Sequence, residues 1–78
     1  MKKSEFFDIL MDTLEIESVE SIDESTDLTG LEEYDSLAVL SLIAMIDEHF
    51  SKRIPGTDFQ KITTVKSLMD LIGPDQFE

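Results

Sequence analysis

With 78 residues and no cysteine, the chain can build one domain around a single modest core and cannot use disulfides to stabilise it. Having one histidine as well, it lacks the usual zinc ligands, and we expect no metal site. The formal charge of −12 argues against binding to nucleic acid or to an anionic membrane, whereas basic protein partners should be attracted. We expect no membrane insertion, since the chain has no run of eighteen apolar residues.

The first apolar stretch predicts a helix over residues 4–14. Ser4 is a suitable N-cap, and Glu5 then places a negative charge near the positive end of the helix dipole. Apolar residues recur at spacings of three and four, at Phe6, Phe7, Ile9, Leu10, Met11 and Leu14. Residues 15–34 lack such a stripe and are predicted to form a long ordered loop. Five apolar side chains should pin it: Ile16, Val19, Ile22, Leu28 and Leu31.

A second helix is predicted to begin at an N-cap, either Asp35 or Ser36, and to run to about Phe50. Lys52 and Arg53 follow its C-terminal end, where positive charge is favourable.

Residues 57–61 could form one helical turn with Phe59 buried. Thr63 or Thr64 then caps a last helix that ends at Ile72, before Gly73-Pro74. The predicted fold is therefore all-α, an irregular four-helix bundle of three main helices and one short helix, with a long loop after the first helix. We expect residues 1–78 to form a single domain.

The second helix has apolar residues on more than one side. On a helical wheel, one face holds Val39, Leu42, Ile43, Ile46 and Phe50, flanked by Ala38 and Met45. The opposite face holds Ser36, Leu37, Leu40, Ser41, Ala44, Asp47 and Glu48. Either the helix is buried on several sides, or this second face is a small apolar patch, rimmed by acids, for a protein partner.

No residue can make Ser36 a catalytic nucleophile. The only histidine, His49, lies thirteen residues further along the same helix, roughly 20 Å away at 1.5 Å per residue. Ser36 is therefore either a plain N-cap or a hydroxyl that another enzyme modifies, and we expect no catalytic residue in the chain.

Two acidic motifs point to no site of their own. Asp23 opens a segment like a calcium loop, but Leu28 and Tyr34 stand where that motif needs Gly and Glu. The pair Glu32-Glu33 is interpreted as part of a solvated face.

Asp35-Ser36-Leu37, the apolar helix to Phe50, Ile54-Pro55 and Lys61-Ile62-Thr63-Thr64-Val65 together resemble the acyl carrier protein family. The resemblance covers essentially the whole chain. It implies that Ser36 holds a covalent 4′-phosphopantetheine, transferred from coenzyme A by a separate phosphopantetheinyl transferase. It also implies a non-catalytic protein that carries acyl groups as thioesters on the arm.

The resemblance further implies partner enzymes that transfer or modify acyl groups and that have basic docking surfaces. The expected partner-binding residues are Asp35, Leu37, Leu40, Ser41, Ala44, Asp47 and Glu48. We expect a cytoplasmic location, since the N-terminal residues lack the apolar core of a signal peptide. We also expect a monomer.

The chain departs from the pattern usual for fatty acid synthesis. Members serving that pathway usually read Gly-Ala before Asp-Ser-Leu and an acid after it, where this chain has Glu33-Tyr34 and Ala38. Ser41 also stands where an acid is common. These differences favour a specialised carrier for a polyketide or other secondary metabolite, a lipid or a surface polysaccharide. A D-alanyl or peptidyl carrier is the near alternative, and an unmodified acidic protein-interaction domain is the alternative from another class.

Overall fold

The computed structural model describes residues 1–78, which form three α-helices and three short 3-10 segments. The helices are α1 (Lys3–Thr13), α2 (Ser36–Phe50) and α3 (Val65–Ile72), and the 3-10 segments are Leu28–Gly30, Gly56–Lys61 and Pro74–Gln76. The predicted all-α bundle is confirmed, with Gly56–Lys61 as its short fourth helix; the other two 3-10 segments are absent from the sequence prediction. No helix combines the length and hydropathy that crossing a lipid bilayer would require.

The first and last helices begin in different ways. The predicted cap Ser4 is wrong, because the residue in extended conformation before α1 is Lys2, and Ser4 already lies in the first turn. No side chain caps α1 at its start. At α3 the cap is Thr64, one of the two predicted candidates, and its Oγ1 accepts a hydrogen bond from the Ser67 N–H at 3.2 Å.

The core is made entirely of apolar side chains. None of the 17 buried residues is polar or charged. Three phenylalanine rings join the ends of the chain to α2 at the edge of this core: the Phe77 ring centroid lies 4.9 Å from that of Phe6 and 5.4 Å from that of Phe50. These tilted and edge-on contacts pack α1 and α2 against the C-terminal segment.

The long loop between α1 and α2 is held inward by fewer residues than predicted. Ile16, Ile22 and Leu28 are buried and Leu31 is half-buried, but Val19 is exposed. The prediction for Val19 is wrong because all of residues 17–21 run along the surface.

Backbone hydrogen bonds fasten the same loop to the start of α3. The N–H groups of Val65 and Lys66 donate to the carbonyl oxygens of Thr26 and Glu24, each at 2.9 Å. Two of the N–H groups that a helix start leaves without an intrahelical partner are thus satisfied by the loop. The loop therefore has a fixed course although it contains little regular structure.

The buried face of α2 is rotated from the face that the wheel predicted. Leu42 and Ile46 are fully buried as expected, and the flanking residues Ala38 and Met45 are buried too. The other three predicted core residues, Val39, Ile43 and Phe50, are only half-buried. The rotation arises because α1 lies along the Ala38 and Met45 side of α2, as the clefts lined by both helices show.

Candidate functional site

Ser36 is the first residue of α2, and its hydroxyl is available. The residue is exposed, and its side chain has no hydrogen-bond partner in the chain. The cap is Asp35, whose Oδ1 accepts from the Ala38 N–H at 2.9 Å. The interpretation of Ser36 as a plain N-cap is therefore wrong. Asp35 is the N-cap of α2, and the Ser36 hydroxyl is not used in capping.

No base of this chain activates the serine. Its hydroxyl has no hydrogen-bonded neighbour, and His49 is an exposed residue in the last turn of α2. His49 lies thirteen positions after Ser36 along the helix, about 20 Å away at the usual rise. A nucleophilic serine needs a base within hydrogen-bond reach, so any base that acts on Ser36 must come from another protein.

The backbone around Ser36 suits an attached phosphate. Ala38 and Val39 donate their N–H groups to Asp35, but the N–H groups of Ser36 and Leu37 have no acceptor in the chain. Both stand at the positive end of the dipole of a 15-residue helix. A phosphate ester on Ser36 would thus meet two free donors and a favourable field.

An exposed apolar face lies beside the serine. Leu37 and Leu40 are 71% and 63% exposed, the most exposed of the large apolar side chains in the chain. The other predicted partner-binding residues are exposed as well: Asp35, Ser41, Ala44, Asp47 and Glu48. Their exposure rules out the interpretation that this side of α2 is buried. We call these residues, with Ser36, the α2 face.

A shallow groove continues the α2 face toward the next turn of the chain. It encloses about 550 Å³ and is lined by Leu40, Ile43, Ala44, Asp47, Arg53, Ile54, Pro55 and Gly56. Arg53 forms no ion pair within the chain, as the two salt bridges are Lys3–Glu24 and Lys66–Asp70. The local sequence pattern places Arg53 only after the end of α2, because nothing in it shows that the chain turns back along the helix. The rim of the α2 face therefore carries one basic group among its acids.

Glu33 is hydrogen-bonded to a distant part of the surface loop. Its Oε2 accepts the backbone N–H groups of Glu17 and Ser18, each at 3.0 Å, and its Oε1 accepts the Ser18 hydroxyl at 2.7 Å. These hydrogen bonds, led by the one from the Glu17 N–H, lower the pKa of Glu33 to about 2. Glu33 lies at the surface, as the interpretation of a solvated face expects, but these hydrogen bonds were not predicted, because its partners lie too far away in sequence for any local motif to reveal them.

Tyr34 lies between Glu33 and Asp35 and points inward. Its side chain packs against the core, and its hydroxyl oxygen is buried without a hydrogen-bond partner. Loss of solvent raises the pKa of this hydroxyl above its ordinary value. The ring therefore anchors the segment that leads to Ser36.

The acidic segment that starts at Asp23 is a turn. Asp23 Oδ1 accepts from the Ser25 hydroxyl at 2.6 Å and from the Ser25 N–H at 2.9 Å. These hydrogen bonds to Ser25 are the main reason why the pKa of Asp23 is lowered. The carboxylate thus closes the turn at the loop surface.

Two comparisons with known proteins bear on this site. The family model described as phosphopantetheine attachment site matches residues 4–72. Among solved structures, the fold is similar to the solution NMR structure of holo acyl carrier protein from Geobacter metallireducens, with a TM-score of 0.73. The two sequences are 20% identical, and the match covers 96% of this chain and 85% of the other.

Proposed function

Since the chain belongs to the family of phosphopantetheine attachment domains, we propose that Ser36 is the residue to which its covalent 4′-phosphopantetheine is attached. The observation that carries this proposal is the free, exposed hydroxyl at the first residue of α2. The free N–H groups of Ser36 and Leu37 fit the phosphate of such a group.

Attachment needs a separate phosphopantetheinyl transferase, with coenzyme A and a magnesium ion. The Ser36 oxygen bonds to the phosphorus that carries the pantetheine, and the bond from that phosphorus to adenosine 3′,5′-bisphosphate breaks. The serine proton passes to a base of the transferase, because this chain offers none. Once attached, the arm supplies the thiol that a chain without cysteine lacks, and acyl groups are held on it as thioesters.

The chain's own contribution is to present the serine and to be recognised. Asp35 fixes the start of α2, so the hydroxyl keeps one place relative to the α2 face. Leu37, Leu40 and Ala44 offer apolar area, and Asp47 and Glu48 offer negative charge at its rim. Partners that transfer or modify acyl groups would dock here with apolar and basic groups. We place the protein, as a monomeric and non-catalytic carrier, in the cytoplasm.

The pathway proposed is a specialised one, such as the synthesis of a polyketide or other secondary metabolite, a lipid or a surface polysaccharide. The α2 face has only two acids after its first turn, Asp47 and Glu48, and Arg53 adds positive charge to the same rim. A docking surface of mixed charge fits partner enzymes that carry both basic and acidic groups better than enzymes whose docking surfaces are uniformly basic. Fatty acid synthesis, and D-alanyl or peptidyl carriers, remain the alternatives to be tested.

Intact mass spectrometry after incubation with coenzyme A and a broad-specificity transferase tests the attachment. We expect the wild-type chain to gain one phosphopantetheine and Ser36→Ala to gain none. A chain that never gains mass would instead be an unmodified acidic interaction domain. The loaded chain can then be offered to enzymes that activate fatty acids, D-alanine or other amino acids, and the one that forms a thioester identifies the class of carrier.

A further inference from the structure

Glu33 joins two parts of the loop that are far apart in sequence. Three hydrogen bonds connect its carboxylate to Glu17 and Ser18, across 15 and 16 residues of chain. Both carboxylate oxygens are used. The neighbouring Glu32 is exposed and makes no side-chain hydrogen bond, so an acidic surface alone does not explain the arrangement.

The three residues before Ser36 are each held by a different contact. Glu33 is tied outward to Glu17 and Ser18, Tyr34 is packed inward on the core, and Asp35 caps α2 through the Ala38 N–H. The cleft lined by Glu33, Asp35 and Leu37 also reaches the end of α1. The backbone that leads into Ser36 is thereby fixed between the surface loop and the core.

From this arrangement we propose that Glu33 is a positioning residue for the modification of Ser36, since it holds the segment that presents the serine hydroxyl. The inference rests on the proposed function of Ser36. Glu33 does not touch the reacting atoms, and it acts through the backbone of residues 34 and 35.

The physical consequence is a change in the fraction of molecules that present Ser36 correctly. Without the carboxylate, residues 17 and 18 lose their acceptor, and residues 33–35 lose their outward tie. A transferase that binds only the competent fraction then shows a KM raised by the inverse of that fraction, with kcat retained. If one molecule in ten is competent, KM rises about tenfold.

Three variants test the proposal with coenzyme A and the broad-specificity transferase. Glu33→Ala removes the acceptor, and Glu33→Gln keeps an oxygen that can accept from both N–H groups while its amide can donate to the Ser18 hydroxyl. Glu32→Ala is the matched control, because it removes one charge from the adjacent residue. Circular dichroism first establishes that all three are folded at the assay temperature.

We expect KM for loading to rise about tenfold in Glu33→Ala with kcat unchanged, and to stay within about twofold of wild type in Glu33→Gln and Glu32→Ala. Amide hydrogen exchange at Glu17 and Ser18, whose N–H groups bind the Glu33 carboxylate in the wild type, should accelerate in Glu33→Ala only. Normal loading of Glu33→Ala would overturn the proposal. Loss of loading in Glu33→Gln equal to that in Glu33→Ala would also overturn it, because the charge would then be a partner contact.

The same data separate this inference from the proposed function. If wild type gains no phosphopantetheine, or if Ser36→Ala still gains it, both proposals fail. If wild type loads at Ser36 and Glu33→Ala loads equally well, only the role of Glu33 is rejected.

Discussion

The Asp35 carboxylate accepts the N–H of Ala38 at 2.9 Å, and Ser36 lies between the two residues without joining the cap. The stability of α2 and the chemistry of its first residue are therefore separate properties. Ser36→Ala should abolish loading and change the free energy of unfolding very little, whereas Asp35→Ala should lower it by about 1 kcal/mol. Mass spectrometry and urea unfolding measure the two effects. A clear loss of stability in Ser36→Ala would contradict the separation.

The leucines of α2 should divide by burial. Leu42 is fully buried, so Leu42→Ala should cost about 2–5 kcal/mol, whereas Leu40 is 63% exposed and Leu40→Ala should cost well under about 1 kcal/mol. Leu40→Ala should nevertheless slow loading of Ser36, because a docked enzyme loses an apolar contact. Urea unfolding measures the stability of the two variants, and the rate of Ser36 loading measures the effect of Leu40→Ala on docking. Unchanged kinetics would show that the exposed leucine is not a docking residue.

The charge of Asp47 should matter for docking. Asp47→Lys reverses one acid on the α2 face and should reduce kcat/KM for loading by a basic transferase, most strongly at low salt. Glu20→Lys makes the same change in net charge on the exposed loop and is the control. Loading assays between low and physiological salt separate them; equal losses in both variants would point to net charge alone.

Acid should remove the contribution of Glu33 to stability. Its pKa is about 2 when folded, against an ordinary 4.5, so the contribution is fully present above about pH 4.5 and is lost as pH falls toward 2. The difference in Tm between wild type and Glu33→Ala should therefore shrink from pH 6 to pH 3. Glu15 and Asp35, which line the same cleft, are present in both proteins and their effects largely cancel. A Tm difference between the two proteins that grows as the pH falls would contradict this prediction.

Two glycines should respond oppositely to alanine. Gly73 has φ of 128°, and a Cβ there would lie 2.9 Å from Asp75 Oδ1 and 3.0 Å from Lys52 Nζ. Gly73→Ala should cost about 1–3 kcal/mol through this backbone strain. At Gly56 a Cβ meets only Ile43 Cδ1, at 3.9 Å, so Gly56→Ala should be neutral or stabilising by up to about 1 kcal/mol. Thermal unfolding of the two variants compares them directly.

Local patterns predicted the helices well because caps and apolar spacing act within one or two turns. Thr64 and the end of α2 near Phe50 follow from such signals. Ser4 did not become a cap because Lys2 takes the extended conformation before α1, and several residue types can precede a helix without a side-chain bond. The wheel of α2 gave the exposed face correctly but misplaced the centre of burial, since the direction from which α1 packs is a property of the whole fold.

The features of the site that the sequence did not reveal depend on contacts between distant segments. Glu33 finds its partners at Glu17 and Ser18 only when the loop has folded back on itself. Arg53 reaches the groove beside Leu40 only because the chain reverses after α2. Neither contact leaves a periodic or spaced pattern in the sequence. Local patterns therefore predict neither the hydrogen bonds of Glu33 nor the position of Arg53 in the groove.

Tyr34 gives this carrier a built-in optical reporter. It is the only tyrosine, and the chain has no tryptophan, so ultraviolet emission excited above the phenylalanine band comes from a single ring. That ring is half-buried against the core, two residues before Ser36. Changes in the loop that presents the serine, whether from loading, cargo or a docked enzyme, should therefore appear in the fluorescence of the unlabelled protein, without any added dye.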